Sequence, residues 1–87
     1  TGCLTLVDIK LININLFADN SKCEDAINLI RTEGNVNKIN IQNNMYDGLD
    51  MDFSSLSIND LSIDNSKNDC VDLSFGKYEV KEARLSR

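Results

Sequence analysis

The sequence predicts an all-β solenoid of about four coils of ~22 residues, and three observations carry that expectation. Asp25-Ala26-Ile27-Asn28-Leu29, Asp47-Gly48-Leu49-Asp50-Met51 and Asp69-Cys70-Val71-Asp72-Leu73 recur every 22 residues, and Gly2-Cys3-Leu4-Thr5-Leu6 falls into the same frame 23 residues earlier. Self-similarity at such a period marks a unit that cannot bury its apolar face alone and so stacks on its neighbours. Within each copy, apolar and polar positions alternate with period two, as in a strand with one buried face. Corner-forming residues then repeat in step with the strands. The coils are expected at approximately 2–24, 25–46, 47–68 and 69–87, forming one segment.

The first strand of each coil is the clearest. Leu4/Ile27/Leu49/Val71 and Leu6/Leu29/Met51/Leu73 are apolar in every copy, and Thr5/Asn28/Asp50/Asp72 between them are polar in every copy. Continuing the alternation, Arg31/Phe53/Phe75 places two aromatics on the inward side, where they are expected in the core. A second short strand is expected at Val36/Ile58/Val80, with Leu56 and Tyr78 before it in two copies. A third follows at Leu16/Ile39/Leu61/Ala83 and Ala18/Ile41/Ile63/Leu85. Three strands per turn give a roughly triangular section. Ala26, Ile27 and Ile30 have helical spacing, but the equivalent stretch 47–53 is a poor helix and a good strand, so strand is expected for both.

Corners show their own columns. Asn20, Asn43 and Asn65 recur just after the third strand, where stacked amides can form a hydrogen-bonded ladder and Asn tolerates a left-handed backbone. Arg87 takes that place in the last coil and ends the ladder. Asp25, Asp47 and Asp69 lead into the first strand, where an Asp accepts from backbone N–H groups nearby and makes a turn.

Two repeat families fit this period. Val36-x-x-Ile39-x-Ile41-x-x-Asn44 resembles a leucine-rich repeat, which implies a module that binds a protein partner through its concave sheet. The next copy, Ile58-x-x-Leu61-x-Ile63-x-Asn65, shifts the Asn by one, and the half that should be helical alternates with period two instead. Asn43-Asn44-Met45-Tyr46-Asp47-Gly48-Leu49-Asp50-Met51 and Asp64-Asn65-Ser66-Lys67-Asn68-Asp69-Cys70-Val71-Asp72-Leu73 more closely resemble the right-handed parallel β-helix repeat of pectate-lyase-like solenoids. That resemblance implies an extracellular or cell-envelope setting and an association with polysaccharide. It selects no activity, since one fold hosts many functions.

Composition removes several chemistries. With no His, Ser-His and Cys-His nucleophile pairs and mixed-ligand zinc sites are out. The net charge of −5 repels a phosphate backbone, so nucleic acid is not an expected partner. No apolar run approaches the ~20 residues of a membrane span. Of the three cysteines, Cys3 and Cys70 share a column three coils apart. At ~4.8 Å per coil they stand roughly 14 Å from one another, beyond disulfide reach. Both are expected as small packed residues beside Ala26 and Gly48, with Cys23 either free or paired outside the segment.

One polar patch could carry chemistry. Asp50 and Asp72 are neighbours in one column, and Asp52 lies two residues along on the same face. Crowded carboxylates raise one another's pKa or recruit a cation, here calcium held by Asp50 and Asp72. In a polysaccharide lyase or glycoside hydrolase the catalytic candidates are Asp50, Asp52 and Asp72, lining an acidic groove. The only basic residue in the matched columns is Arg31. The simpler expectation is a solvated acidic face on a structural or binding segment. Since the chain begins and ends inside a repeat, it is expected to be a piece of a longer protein. Its uncapped coils are then expected to pair with neighbouring coils or, end to end, with copies of themselves.

Overall fold

A computed structural model describes residues 2–86. Every element in it is a strand: β1 (Gly2–Val7), β2 (Lys10–Asp19), β3 (Asp25–Ile30), β4 (Glu33–Asn44), β5 (Asp47–Asp52), β6 (Ser55–Ser66), β7 (Val71–Ser74) and β8 (Lys77–Leu85). The odd strands form one parallel sheet in the order β1-β3-β5-β7, and the even strands form a second in the order β2-β4-β6-β8. Each coil therefore contributes one strand to each sheet, and four coils stack as a parallel β-solenoid. No helix stands among the described residues. The stretch with helical spacing is strand β3, and neither half of the coil has the helix of a leucine-rich unit.

The register reproduces the repeat frame. Leu4 pairs with Ile27, Ile27 with Leu49 and Leu49 with Val71. Across the other sheet, Leu16, Ile39, Leu61 and Ala83 align, as do Ala18, Ile41, Ile63 and Leu85. Ile27, Leu29, Leu49 and Met51 from the first sheet meet Val36, Ile39, Ile41, Ile58 and Ile63 from the second in a fully buried core. Burial of each such side chain contributes about 1.5–3 kcal/mol, which is what offsets the ordering of so small a chain.

Two sheets replace the three strands expected per coil. The second and third strands of the sequence are the two halves of one long strand. In β4, Val36 and Ile39 are buried while Asn37 and Lys38 between them are both exposed, so the facing parity shifts by one residue. Pairing with β6 passes from Val36–Ile58 to Lys38–Asp60 across that step. The ladder bends there without ending. Gly34 sits at φ 121°, and a Cβ on it would lie 2.0 Å from the Leu11 carbonyl oxygen, so only glycine fits the close approach of β2 to β4.

Candidate functional site

Alternation on the first sheet fixes the acidic face. Leu49 and Met51 of β5 point inward, so Asp50 and Asp52 point outward, and parallel register sets Asp50 between Asn28 and Asp72. Burial pushes the Asp50 carboxyl up to about 6, with further upward pressure from the Asp52, Asp25 and Asp72 carboxylates and a hydrogen bond with Asp52. Asp25, itself buried, is also raised, first by desolvation and then by Asp47 and Glu24. Asp52 accepts a hydrogen bond from Ser74 Oγ. The Asn28 Oδ1 atom is buried without a donor. Among the described residues, no group of three or more His, Cys, Asp or Glu side chains is arranged to hold a metal ion.

Arg31 does not serve this face. Its guanidinium forks onto Asp8, with Nε 2.6 Å from Oδ1 and Nη2 3.0 Å from Oδ2. That hydrogen bond holds the Asp8 carboxyl below its usual range and raises Arg31 in turn. Both groups are exposed, so the pair contributes little to stability.

Phe53 and Phe75 are not core residues. They are 60% and 80% exposed, and their parallel rings stack with centroids 5.6 Å apart. The reason is backbone handedness. Asp8, Arg31, Phe53 and Phe75 all have positive φ, at 57°, 49°, 52° and 31°. One left-handed residue at the end of each odd strand reverses the alternation and turns outward a side chain that period two assigns inward. The residue after it then faces in: Thr32 and Ser54 are buried, and Thr32 Oγ1 donates to Ser54 Oγ at 3.0 Å.

The opposite corner is the Asn column. Asn20, Asn43 and Asn65 have φ of 57°, 54° and 59°. Asn65 Nδ2 donates to Asn43 Oδ1 at 2.9 Å, but Asn43 Nδ2 donates to Asp19 Oδ1 at 3.1 Å rather than to Asn20. The ladder thus joins two of the three, and Arg87 lies outside the described residues. A second amide row was not foreseen: Asn37 donates to Asn15 and Asn59 to Asn37 at the bend of the even strands. Their spacing of 22 residues was its signal. Nor was the buried column behind the corner, Ser21, Asn44 and Ser66, where Asn44 Nδ2 donates to Ser66 Oγ and to the Tyr46 carbonyl. In the Asp column, Asp47 Oδ1 accepts from Asn68 Nδ2 at 2.8 Å and from the Asp69 backbone N–H at 3.1 Å.

Cys3 is no small packed residue. It is exposed and forms a disulfide with Cys23, Cα atoms 5.4 Å apart. Twenty residues are nearly one full coil, so the chain returns to Cys3 one strand spacing away. Cys70 is free and half-buried, its thiol near the Ser86 carbonyl.

Two grooves with shared lining run from the Phe53 corner along the even strands. One of about 420 Å³ is bordered by Arg31, Phe53, Lys10, Glu33 and Ser55. The last three also border a larger groove of about 590 Å³, which continues over Asn35, Ser57 and Lys77. Tyr78 also borders it. Its hydroxyl accepts from the Ser54 backbone N–H and donates to the Ser74 carbonyl, in space left open because Gly76 has no Cβ. No protein-family model, curated protein or solved structure matches this chain. Among the described residues, no helix is long and apolar enough to cross a membrane.

Proposed function

We propose that this chain is a structural and binding segment of a pectate-lyase-like β-helix in an extracellular or cell-envelope protein that handles polysaccharide, and that it works stacked on further coils. The observation that carries the stacking is a bare core section. Leu73 is 49% and Leu85 50% exposed, whereas their column-mates Leu29, Met51, Ile41 and Ile63 are at most 1% exposed. The same inward positions that are dry in the middle coils stand in water on β7 and β8. Another coil in register would cover them and pair the open strand edges. The Cys3–Cys23 disulfide supports a compartment outside the reducing cytosol.

Sedimentation velocity over a range of concentrations tests the stacking. The expected result is concentration-dependent association that Leu73→Lys/Leu85→Lys abolishes. A species that stays monomeric at every concentration would overturn it.

A second possibility, a lyase or hydrolase segment with an acidic groove, draws on Asp50, whose raised pKa beside Asp52 and Asp72 is of the kind found at working carboxylates. A calcium ion shared by Asp50 and Asp72 belongs to this alternative. Calorimetric titration with calcium decides it. Saturable heat lost in Asp50→Asn/Asp72→Asn favours the acidic site, and no heat leaves a solvated face.

A further inference from the structure

The Phe53–Phe75 corner is costly in two ways at once. A bulky residue at positive φ is strained, and a left-handed position accepts Gly or Asn at less cost. An exposed aromatic ring also forfeits the burial it would gain in the core. Phe53 and Phe75 incur both, in adjacent coils, with their rings aligned to within 9°. The torsion itself belongs to the corner, since Asp8 and Arg31 share it; what folding leaves unexplained is a bulky apolar side chain placed there and exposed, and such unfavourable choices recur where a ligand is held. Their neighbours say what ligand. The parallel, offset rings form an apolar ledge. The groove beside Phe53 presents the Ser55 hydroxyl and the charged ends of Lys10 and Glu33, and the larger groove that shares these three residues adds the Ser57 hydroxyl, the Asn35 amide and Lys77. A protein partner's dry apolar core finds little match in such an open polar trough. A chain of sugar rings does, since each ring has a flat C–H face for an aromatic and a rim of hydroxyls for polar side chains.

We propose that the Phe53–Phe75 ledge and the groove running past Ser55 to Lys77 form a binding site for a linear glycan, separate from the Asp50–Asp72 face. The proposal rests on the view of the solenoid as a polysaccharide-associated segment and assigns that association to the corner. The ring face of one sugar lies on the ledge, and the next units lie over Ser55, Ser57 and Asn35, whose hydroxyls and amide exchange hydrogen bonds with the glycan.

The whole chain is applied to a microarray of immobilised neutral and acidic linear glycans, alongside Phe53→Ala, Ser57→Ala and Asp50→Asn. Phe53 and Ser57 belong to the third coil and are not among the exposed inward positions, Leu73 and Leu85, that the stacking uses, so association by sedimentation stays unchanged in these variants and separates the two proposals. Circular dichroism confirms that each variant keeps its strands. The expected result is retention on at least one linear glycan, weakened about tenfold by Phe53→Ala, less by Ser57→Ala, and unaffected by Asp50→Asn. Retention on no glycan overturns the site. So does retention that Phe53→Ala leaves intact, and loss caused by Asp50→Asn instead places the glycan on the acidic face.

Discussion

Asn20, Asn43 and Asn65 at one corner and Asp8, Arg31, Phe53 and Phe75 at the other share the left-handed backbone, with φ between 31° and 59°. In both, the residue that follows in the middle coils turns inward and is buried and polar: Asn44 and Ser66 at the first, Thr32 and Ser54 at the second. The corner geometry therefore dictates two things, a left-handed residue facing out and a hydrogen-bonding residue facing in. Only the outward side chain is free to vary. The Asn corner fills it with the residue type that tolerates the conformation best, and the Phe corner with a type that tolerates it poorly. The first is explained by folding alone; the second calls for a use.

The comparison can be broken most severely from the inside. Asn44→Leu removes the donor to the Tyr46 carbonyl and to Ser66 Oγ in a site 1% exposed, and is expected to cost about 2–3 kcal/mol by chemical denaturation. A cost below that of an exposed Asn would show that the inward column does not support the corner. Next in size is Asn43→Ala, which forces a Cβ-bearing residue without a side-chain partner into φ 54° and breaks the bond from Asn65. About 1–2 kcal/mol is expected.

Between the corners, Asp50→Asn should stabilise the chain at pH 7 to 8 by about 1 kcal/mol, the shift being discounted for solvent screening. The sign follows from the raised carboxyl. The folded state holds the Asp50 proton more tightly than the unfolded chain, so its contribution is most favourable at low pH and is lost as pH rises from about 3.8 to about 6. Melting curves across that window should therefore flatten in the variant. Equal pH dependence in both proteins would remove Asp50 from the account. The smallest effect is the one that sharpens the comparison most. Phe53→Asn should raise stability by about 0.5 kcal/mol, because strain is relieved and little ring burial is lost. A clear loss would mean that the Phe stack stabilises the coil, and that the corner serves folding after all.

The legible parts of this molecule were those governed by period. The 22-residue repeat gave the parallel register, and even its single residue of slack has a place. Asn20 to Asp25 spans five residues where Asn43 to Asp47 and Asn65 to Asp69 span four, and that longer turn carries Cys23. The alternation of Leu49, Asp50, Met51 and Asp52 gave the acidic face. Less legible was where alternation stops. Met51 and Phe53 look equivalent under period two, and nothing in Phe itself signals a left-handed turn.

By itself, then, the sequence determined that coils stack, which residues pair from coil to coil, and which side chains of the straight stretches face the core. These follow from spacing, because a strand repeats every two residues and a stacked coil repeats at its own length. Tertiary structure alone decided the directions taken at the bends. It joined Val36 and Ile39 in one strand across an exposed pair, turned Phe53 and Phe75 outward, and brought Cys23 back to Cys3. Each depends on closing a coil around a filled core. A single backbone torsion then sends the next side chain to the other face, and no local pattern of residues encodes that choice.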